Sequence, residues 1–426
     1  MAYTLGILLF AFGILFSIAL HEAGHMSTAR LFGMKVTKYF IGFGPTIWSF
    51  RRGETEYGIK PIPAGAFVKI VGMTPLDDDV DPGDEPRVFW RKPLWQRTIV
   101  LAAGSITHFI LGFALLWFTA FAVGVPNGVG SPGARAQIGQ VLPCVVVEYD
   151  TEKAQQRSDC RAGDPRSPAQ AAGLRGGDVV TKIDGVTVTH WQALVDKVRK
   201  AGAATVNLTY ERGGETRTAR VDLVESERPK YDEKKKRYLI DAKTGKAKPE
   251  DLEKVGTMGV AQELEITFGP VESLGIAGEY SGNIVTGTFT AIKKFPEKVP
   301  KLIDALSGEK RDPETPISVV GASRLGGEAA EAGIWPFFFF MLASLNVFIG
   351  IFNLIPLLPL DGGHIAIAWF EKVRSWFAAK RGRPDPGRVD YTKLMPLTYA
   401  VILVFGGISL LTIVTDIVNP ISILTP

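Results

Sequence analysis

His21-Glu22-Ala23-Gly24-His25 directly follows an uncharged stretch that runs from Ala2 to Leu20. Side chains four residues apart lie on one face of an α-helix, so His21 and His25 can bind a single metal ion. Ionisable side chains are costly inside a lipid-embedded helix and usually mark a functional site there. The stretch therefore predicts a membrane helix that ends in a metal-binding motif.

The spacing of this motif indicates zinc-dependent hydrolysis. Two imidazoles suit Zn²⁺, and a catalytic zinc ion usually has three protein ligands and one position for water, whose pKa falls to about 7. Glu22 reaches the same side of the helix and could act as the general base. The alternative is a helix with two surface histidines that bind no metal. The zinc interpretation requires a third ligand elsewhere in the chain.

Composition sets limits on the class of protein. The chain has 426 residues, 46% of them hydrophobic, and a formal charge of +4. Its mean hydropathy is +0.13, which describes neither a purely soluble protein nor a compact bundle of membrane spans. The 48 lysines and arginines are balanced by 44 acidic residues, so nothing indicates nucleic-acid binding.

Four segments are long and apolar enough to cross a bilayer, which takes about 20 residues. They lie near Ala2–Phe32, Thr98–Val125, Ile334–Leu360 and Leu394–Thr415. The first segment lacks a basic region before its apolar run, and that run is too long for a typical signal peptide. We therefore expect it to be a retained membrane span.

Basic residues in short loops predict the orientation, because such loops tend to stay in the cytoplasm. The loop after the first span contains Lys35, Lys38, Arg51, Arg52, Lys60, Lys69, Arg87, Arg91 and Lys92, and the loop before the last span contains Lys372, Arg374, Lys380, Arg381, Arg383, Arg388 and Lys393. Both loops are predicted to be cytoplasmic. Both termini and the segment Pro126–Gly333 are then predicted to lie outside the cytoplasm.

The segment outside the cytoplasm begins with a recognisable domain pattern. Ser167–Gly185 predicts a short helix, a glycine turn and a strand that ends in an Asp-Gly turn. Trp191–Lys200 predicts an amphipathic helix, and Thr205–Tyr210 and Thr216–Leu223 predict strands. The pattern resembles a PDZ domain of the bacterial protease type. PDZ domains bind extended chain ends by strand addition, and the alternative role is that of a spacer or lid.

The remainder of this segment predicts a connector. Residues 126–225 are assigned to the PDZ domain and residues 226–333 to a connector with membrane-associated helices. The charged run Glu225–Lys254 predicts a solvated chain, whereas Ile276–Leu306 predicts helices on the membrane or beside the core. Cys144 and Cys160 are the only cysteines, and an oxidising compartment favours a disulfide between them, with two free thiols as the alternative.

The candidate third ligand lies in Asn353-Leu354-Ile355-Pro356-Leu357-Leu358-Pro359-Leu360-Asp361-Gly362-Gly363-His364. A carboxylate at the end of an apolar run is costly without a partner, and a zinc ion would satisfy Asp361. Prolines interrupt helical hydrogen bonding, which at membrane depth is tolerated where backbone is buried in protein or lines a cavity. His364 remains a competing ligand.

With both motifs in view, the chain resembles the site-2 protease family, polytopic zinc metalloproteases that cut membrane-spanning substrates. The matching pieces are His21–His25, Gly42–Pro45, Pro63–Ile70, the PDZ pattern and Asn353–Gly363. The resemblance implies that His21, His25 and Asp361 bind Zn²⁺ and that Glu22 is the general base. It also implies that Asn353 holds the substrate backbone or the developing oxyanion. The alternative role of Asn353 is a helix-end cap.

The resemblance further implies that Glu54–Met73 forms a membrane-dipping β-hairpin. Its edge, formed by Ala66, Phe67, Val68, Lys69 and Ile70, would hold the substrate as an added strand. The chain departs from many relatives at Ser105 and His108, where those relatives have proline and asparagine. His108 is either an additional polar group near the site or a hydrogen-bonded packing histidine.

The expected fold is an α-helical polytopic membrane protein with four transmembrane helices, the β-hairpin and an inserted α+β PDZ domain. Residues 1–125 and 334–426 would form the two catalytic halves, with the active site near the cytoplasmic side of a bacterial plasma membrane. The resemblance implies cleavage of single-span proteins, such as anti-sigma factors already cut by another, site-1-type protease, or of remnant signal peptides. The alternative is a membrane PDZ scaffold or chaperone with a structural zinc ion. A zinc transporter is disfavoured because paired inverted repeats of broken helices are missing from the sequence.

Overall fold

The chain folds as two compact units. The computed structural model describes residues 1–73, 80–149, 159–232, 237–241 and 246–424. Met1–Val123 and Gly269–Pro426 together form one unit, which we call the membrane unit, and Gly124–Phe268 forms the inserted unit. The two motifs predicted to bind the metal ion both lie in the membrane unit.

The helices of the described residues are α1 (Ala2–Leu31), α2 (Leu94–Phe118), α3 (Pro168–Ala171), α4 (Trp191–Ala201), α5 (Glu272–Leu306), α6 (Val319–Glu331), α7 (Trp335–Asn353), α8 (Asp361–Lys380) and α9 (Met395–Val418). The strands of the membrane unit are β1 (Val36–Phe43), β2 (Trp48–Arg52), β3 (Thr55–Ile59) and β4 (Ile62–Ile70). The strands of the inserted unit are β5 (Val125–Pro126), β6 (Ile138–Val141), β7 (Val179–Ile183), β8 (Val186–Thr187), β9 (Thr205–Arg212), β10 (Glu215–Asp222), β11 (Val224–Pro229), β12 (Tyr231–Asp232), β13 (Arg237–Tyr238), β14 (Leu252–Thr257), β15 (Val260–Gln262) and β16 (Glu265–Ile266).

Four of the described helices are long and apolar enough to cross a membrane, as the sequence predicts. They are α1, α2 with its continuation to Val123, α7 and α9. The third is shorter than expected, because α7 ends at Asn353 rather than near Leu360. Pro356 and Pro359 explain the early end, since proline cannot continue the hydrogen bonding of a helix. The sidedness of these helices stays a prediction.

Small residues bring α1 and α2 close together beside the histidine motif. A Cβ atom added to Gly24 of α1 would lie 2.5 Å from Oγ1 of Thr107 and 2.8 Å from the carbonyl oxygen of Ala103. A Cβ atom added to Gly104 of α2 would lie 2.5 Å from Nε2 of both His21 and His25. Glycine allows this close helix contact, so α2 forms one wall of the histidine site.

The sheet of the membrane unit corrects the predicted hairpin. Its strand order is β2-β3-β1-β4. Strand β1 pairs in parallel with β3 and antiparallel with β4, so the two strands expected as arms of the Glu54–Met73 hairpin lie on opposite sides of β1. The predicted hairpin is therefore wrong. An isolated two-stranded hairpin is only marginally stable, and insertion of β1 supplies hydrogen-bond partners to both arms. Strand β4 is an edge of the sheet.

The inserted unit contains the predicted helix, turn and strands. Helix α3 is followed by Gly173 and Gly177, both with positive φ, and then by β7. Its main sheet has the order β10-β9-β7-β8. Leu174, Leu194 and Leu208 bring residues before β7, α4 and β9 into one buried core.

The inserted unit extends further along the chain than the sequence predicts. Strand β11 pairs with β14, β15 pairs with β6, and β16 pairs with β5. The run Glu225–Lys254 therefore includes paired strands, not only a solvated connector. The physical reason is that this strand pair has a buried side, on which Ser226 of β11 lies opposite Val255 of β14. Beyond Phe268, the predicted helices of Ile276–Leu306 are one helix, α5.

Candidate metal centre

Three side chains from two helices converge on one point. His21 and His25 lie one turn apart on α1, and Asp361 is the first residue of α8. The two Nε2 atoms are 3.0 Å apart, and each lies 3.4 Å from Oδ2 of Asp361. A tetrahedral zinc ion with bonds of about 2.0–2.1 Å places its ligand atoms about 3.3 Å apart. The three atoms therefore fit the spacing of a Zn²⁺ site.

The hydrogen bonding of His25 leaves its Nε2 free to bind a metal ion. Its Nδ1 lies 2.7 Å from the carbonyl oxygen of Val100 in α2. A carbonyl oxygen only accepts, so Nδ1 carries the hydrogen and Nε2 directs its lone pair towards Asp361. Oδ2 of Asp361 is buried without a hydrogen-bond partner among the described residues. A buried oxygen facing imidazole lone pairs is what a bound cation would satisfy.

Two glycines position the carboxylate of Asp361. A Cβ atom at Gly362 would collide with the carbonyl oxygens of Leu354 and Ile355, and one at Gly363 would lie 2.7 Å from the carbonyl carbon of Leu357. The non-helical segment between α7 and α8 can therefore pack against the start of α8 only because glycine, which has no side chain, occupies both positions. Asn353, the predicted substrate-binding residue, is the half-buried last residue of α7 at the other end of this segment.

Glu22 lies beside the ligands and contacts the sheet. The group of potential ligands found among the described residues comprises His21, His25 and Asp361, without Glu22. The carboxylate of Glu22 instead lies close to the backbone N–H of Val68 in β4. A carboxylate that is not a ligand can accept and donate protons, so Glu22 can be the general base.

The predicted substrate-binding strand lies at this edge of the sheet. Ala66, Phe67, Val68, Lys69 and Ile70 all belong to β4. Backbone groups of successive strand residues point in alternate directions, so Ala66 and Ile70 direct theirs to the same side as Val68. Tyr39 of β1 pairs with Val68, and its hydroxyl donates to the carbonyl oxygen of Ala19 in α1 at 2.7 Å. The sheet is thereby attached to the helix that carries the histidines.

His108 is both near the site and hydrogen-bonded, so the two alternatives for it are compatible. Its ring centre lies 5.0 Å from that of His21, and its Nδ1 lies 2.9 Å from Oδ1 of Asn346. The amide nitrogen of Asn346 donates to Leu342, so Oδ1 accepts the hydrogen of His108. Sequence reasoning missed Asn346. The sequence signal for Asn346 was a polar side chain within an apolar span.

His364 does not join the ligand group. Its ring stacks on Tyr391 with the ring centres 6.0 Å apart, and burial lowers the pKa of its imidazole. Within the described part of the chain, Asp361 is the residue that completes the cluster. In the inserted unit, Cys144 and Cys160 are joined by a disulfide.

Three side chains that could hold a metal ion, with a carboxylate beside them and apolar helices around them, are typical of membrane metallopeptidases. The model of peptidase family M50 matches residues 9–384, and the chain belongs to this family. The matches confirm the predicted site-2 protease resemblance and the predicted kind of enzyme.

Relatives match over the full length of the chain. The zinc metalloprotease Rip1 of Mycobacterium tuberculosis is 39% identical, with 99% of each chain covered. Rip1 of Mycolicibacterium smegmatis is also 39% identical, over 99% of this chain and all of the relative. A putative zinc metalloprotease of Neisseria meningitidis is 27% identical over 86% of this chain and 91% of its own. Among solved structures, the PDZ domain of an SdrC-like protein from Listeria monocytogenes covers 22% of this chain and 76% of its own at 22% identity, with a TM-score of 0.15.

Proposed function

We propose that this protein is an intramembrane zinc endopeptidase that cuts single-span membrane proteins. One observation carries the proposal: Glu22, which follows the potential metal ligand His21 in sequence, lies close to the backbone N–H of Val68 on an edge strand. An edge strand can accept an extended peptide as a further strand. The proposed base and the proposed peptide-binding edge are therefore next to each other.

The chain's own residues account for the main chemical tasks. When bound, Zn²⁺ supplies Lewis acidity and lowers the pKa of water. Glu22 accepts a proton from the attacking water and delivers it to the amide nitrogen that leaves. The amide of Asn353 donates a hydrogen bond to the substrate backbone or to the oxyanion that forms on its carbonyl.

Strand addition also prepares the substrate. A membrane-spanning helix keeps its amides in internal hydrogen bonds, so its scissile bond is inaccessible until the helix unwinds. The outward backbone groups of Ala66, Val68 and Ile70 can replace the hydrogen bonds that the substrate loses. We therefore assign to β4 the role of holding the unwound substrate across the metal centre.

A scaffold or chaperone with a structural zinc ion is the competing function. Structural zinc sites are usually closed by four protein ligands, whereas catalytic sites keep one position open. The described residues supply three potential ligands, with the carboxylate of Glu22 beside them. This ligand count favours the enzyme.

The proposed substrates are anti-sigma factors that another protease has already shortened, with remnant signal peptides as a second class. This choice rests on the site-2 protease resemblance, as does the proposed location in a bacterial plasma membrane. The distribution of basic residues supports cytoplasmic loops after α1 and before α9, with the inserted unit outside the cytoplasm.

Membrane proteomics on living cells tests the proposal. Cells with Glu22→Gln should accumulate single-span membrane fragments that wild-type cells remove. Glu297→Gln is the matched control, because it makes the same change at an exposed position of α5. Identical fragment patterns in the Glu22→Gln cells and the control would contradict the proteolytic function, and full zinc occupancy without turnover in the wild-type protein would support the scaffold.

A further inference from the structure

Helix α8 has an exposed aromatic stripe. Trp369, Phe370, Val373, Trp376 and Phe377 are 50%, 57%, 47%, 50% and 49% exposed. At about 100° per residue, these five positions fall within an arc of roughly 120° on one side of the helix. The opposite side, where Ala368 is buried, packs on α2. The stripe is therefore a continuous apolar face of α8 that points away from the protein.

Cationic side chains border this stripe. On the helical wheel, Lys372 and Arg374 lie at its two edges. The ammonium of Lys380 lies 4.1 Å from the ring centre of Trp376, and the guanidinium of Arg374 lies 5.7 Å from that of Phe370. The acidic residues of α8 point elsewhere.

Both acidic residues of α8 interact with other side chains of the protein. Asp361 belongs to the metal cluster, and Glu371 pairs with Arg97 of α2 at 3.6 Å. The outward face thus combines aromatic and basic side chains without an acidic one. The loop that follows, residues 381–393, contains four basic and two acidic residues.

This combination matches the headgroup region of an anionic membrane surface. Tryptophan prefers the boundary between acyl chains and headgroups. An amphipathic helix with an aromatic face and flanking lysine or arginine lies in the plane of that boundary and attracts anionic lipids. The chain has four helices that are long and apolar enough to cross a bilayer, so a membrane surface would be available to α8.

We propose that α8 is an interfacial helix that binds the headgroups of anionic phospholipids and thereby helps to hold Asp361 in the metal cluster. Asp361 is the first residue of α8. The indole of Trp369 donates to Oγ1 of Thr98 in α2 at 3.1 Å, and Val100 of α2 accepts the hydrogen bond from His25. Lipid contact on the stripe is thus linked through α8 to Asp361 and through α2 to His25, which are two of the three potential ligands. The proposal adds a lipid site to the proposed protease and does not depend on its substrate.

Energy transfer from tryptophan to dansyl-labelled phosphatidylglycerol measures the binding. The full chain would be placed in phosphatidylcholine nanodiscs that contain the labelled lipid. Lys372→Gln/Lys380→Gln should weaken the lipid affinity about fivefold per lysine, which corresponds to about 1 kcal/mol each. Lys182→Gln/Lys200→Gln is the matched control, because it removes two exposed lysines from the inserted unit and should retain the wild-type affinity.

Trp369→Phe/Trp376→Phe tests whether the transfer arises at α8. This variant should lose the part of the transfer that arises at α8, while the six other tryptophans keep theirs, and it should retain the affinity measured by competition with unlabelled phosphatidylglycerol. Equal affinities for the two lysine variants, or unchanged transfer in the tryptophan variant, would overturn the lipid site. If the stripe instead mediates contact between two copies, Trp369→Ser/Trp376→Ser would convert a dimer to a monomer with no change in lipid affinity, and that result would also overturn it.

The link to the metal cluster has its own readout. Zinc retention against a chelator should be greater in nanodiscs of phosphatidylcholine mixed equally with phosphatidylglycerol than in phosphatidylcholine alone. Lys372→Gln/Lys380→Gln should lose this difference and the control should keep it. Equal zinc retention in both lipids for the wild-type chain would overturn the coupling. Because neither measurement uses proteolysis, failure here is distinguishable from failure of the proposed protease function.

Discussion

The backbone N–H of Val68 lies close to the carboxylate of Glu22. The first residue belongs to an edge strand and the second lies between the two histidine ligands in sequence. A substrate that adds to β4 beside Val68 would offer its own carbonyl oxygen to the same N–H. A substrate bound at Val68 is therefore expected to lie beside Glu22.

Replacement of Val68 by proline tests the role of this donor. Val68→Pro removes the N–H to which an added substrate strand would bond, and the loss of one such hydrogen bond corresponds to about 0.5–1.5 kcal/mol, so we expect cleavage of membrane substrates to fall roughly two- to tenfold. Val68→Ala keeps the N–H and should be milder. Purified enzyme with a single-span substrate in detergent provides the rates.

Lys69→Pro serves as a comparison for the sheet itself. The carbonyl oxygen of Lys69 accepts from Thr37 of β1 at 3.4 Å, so the backbone of this residue faces into the sheet. Proline there should lower expression or thermal stability as well as activity. Equal cleavage by Val68→Pro and Val68→Ala, with normal zinc content, would leave β4 without a substrate role.

Metal analysis separates the roles of Glu22 and Asp361. Glu22→Gln should retain stoichiometric zinc and lose cleavage, because Glu22 lies outside the ligand group. Asp361→Ala should lose zinc as well, since two imidazoles alone bind the ion weakly. His364→Ala is the control and should keep its zinc. Full zinc retention in Asp361→Ala, with loss in His364→Ala, would exchange their assignments.

The spans and the metal cluster were predictable because their signals are local. Hydropathy over about 20 residues identifies a membrane helix, and the helical spacing of His21 and His25 places them on one face. Asp361 was also accessible, because a lone carboxylate at the end of an apolar run requires a partner. Where Asp361 would lie relative to the histidines followed only from the family resemblance.

The sheet order was not predictable, because it depends on pairing between distant residues. Strand β1 pairs with both β3 and β4, and no local pattern in Val36–Phe43 specifies two partners. The pairing of β11 with β14 joins residues as far apart as Val224 and Thr257. The hydrogen bond between His108 and Asn346 spans 238 positions. Strand register and side-chain pairs of this kind are determined by tertiary packing rather than by local propensity.

Loss of the disulfide should destabilise the inserted unit. Cys144 and Cys160 are 16 positions apart, and a closed loop of about 15 residues contributes about 3 kcal/mol in the chain-entropy model. Cys144→Ser/Cys160→Ser should lower the free energy of unfolding of this unit by about that amount. Denaturant unfolding of the variant and the wild-type chain, with peptide mapping under non-reducing conditions, checks both points. Free thiols at both positions in protein taken from the membrane would argue against the bond and against the predicted topology.

His108 and Asn346 should behave as a coupled pair. His108→Leu leaves Oδ1 of Asn346 buried without its donor, and Asn346→Leu leaves the donor without its acceptor. Each change should cost about 1–3 kcal/mol of stability, because an unsatisfied buried polar group bears its full desolvation cost. The double variant should cost less than the sum of the two, since neither polar group then remains. Thermal unfolding in detergent gives all three values.

Activity distinguishes a packing role of His108 from a role in the reaction. If His108 only supports the packing of α2 beside His21, the three variants should keep stoichiometric zinc and lose cleavage in proportion to their loss of stability. His190→Leu is a suitable control, because His190 bonds to Thr189 in the inserted unit, away from the metal ligands in sequence. A cleavage rate that falls far more in His108→Leu than in Asn346→Leu, at equal zinc content and equal stability, would show that the imidazole takes part in catalysis. Additive stability losses in the double variant would show instead that the hydrogen bond contributes nothing to the fold.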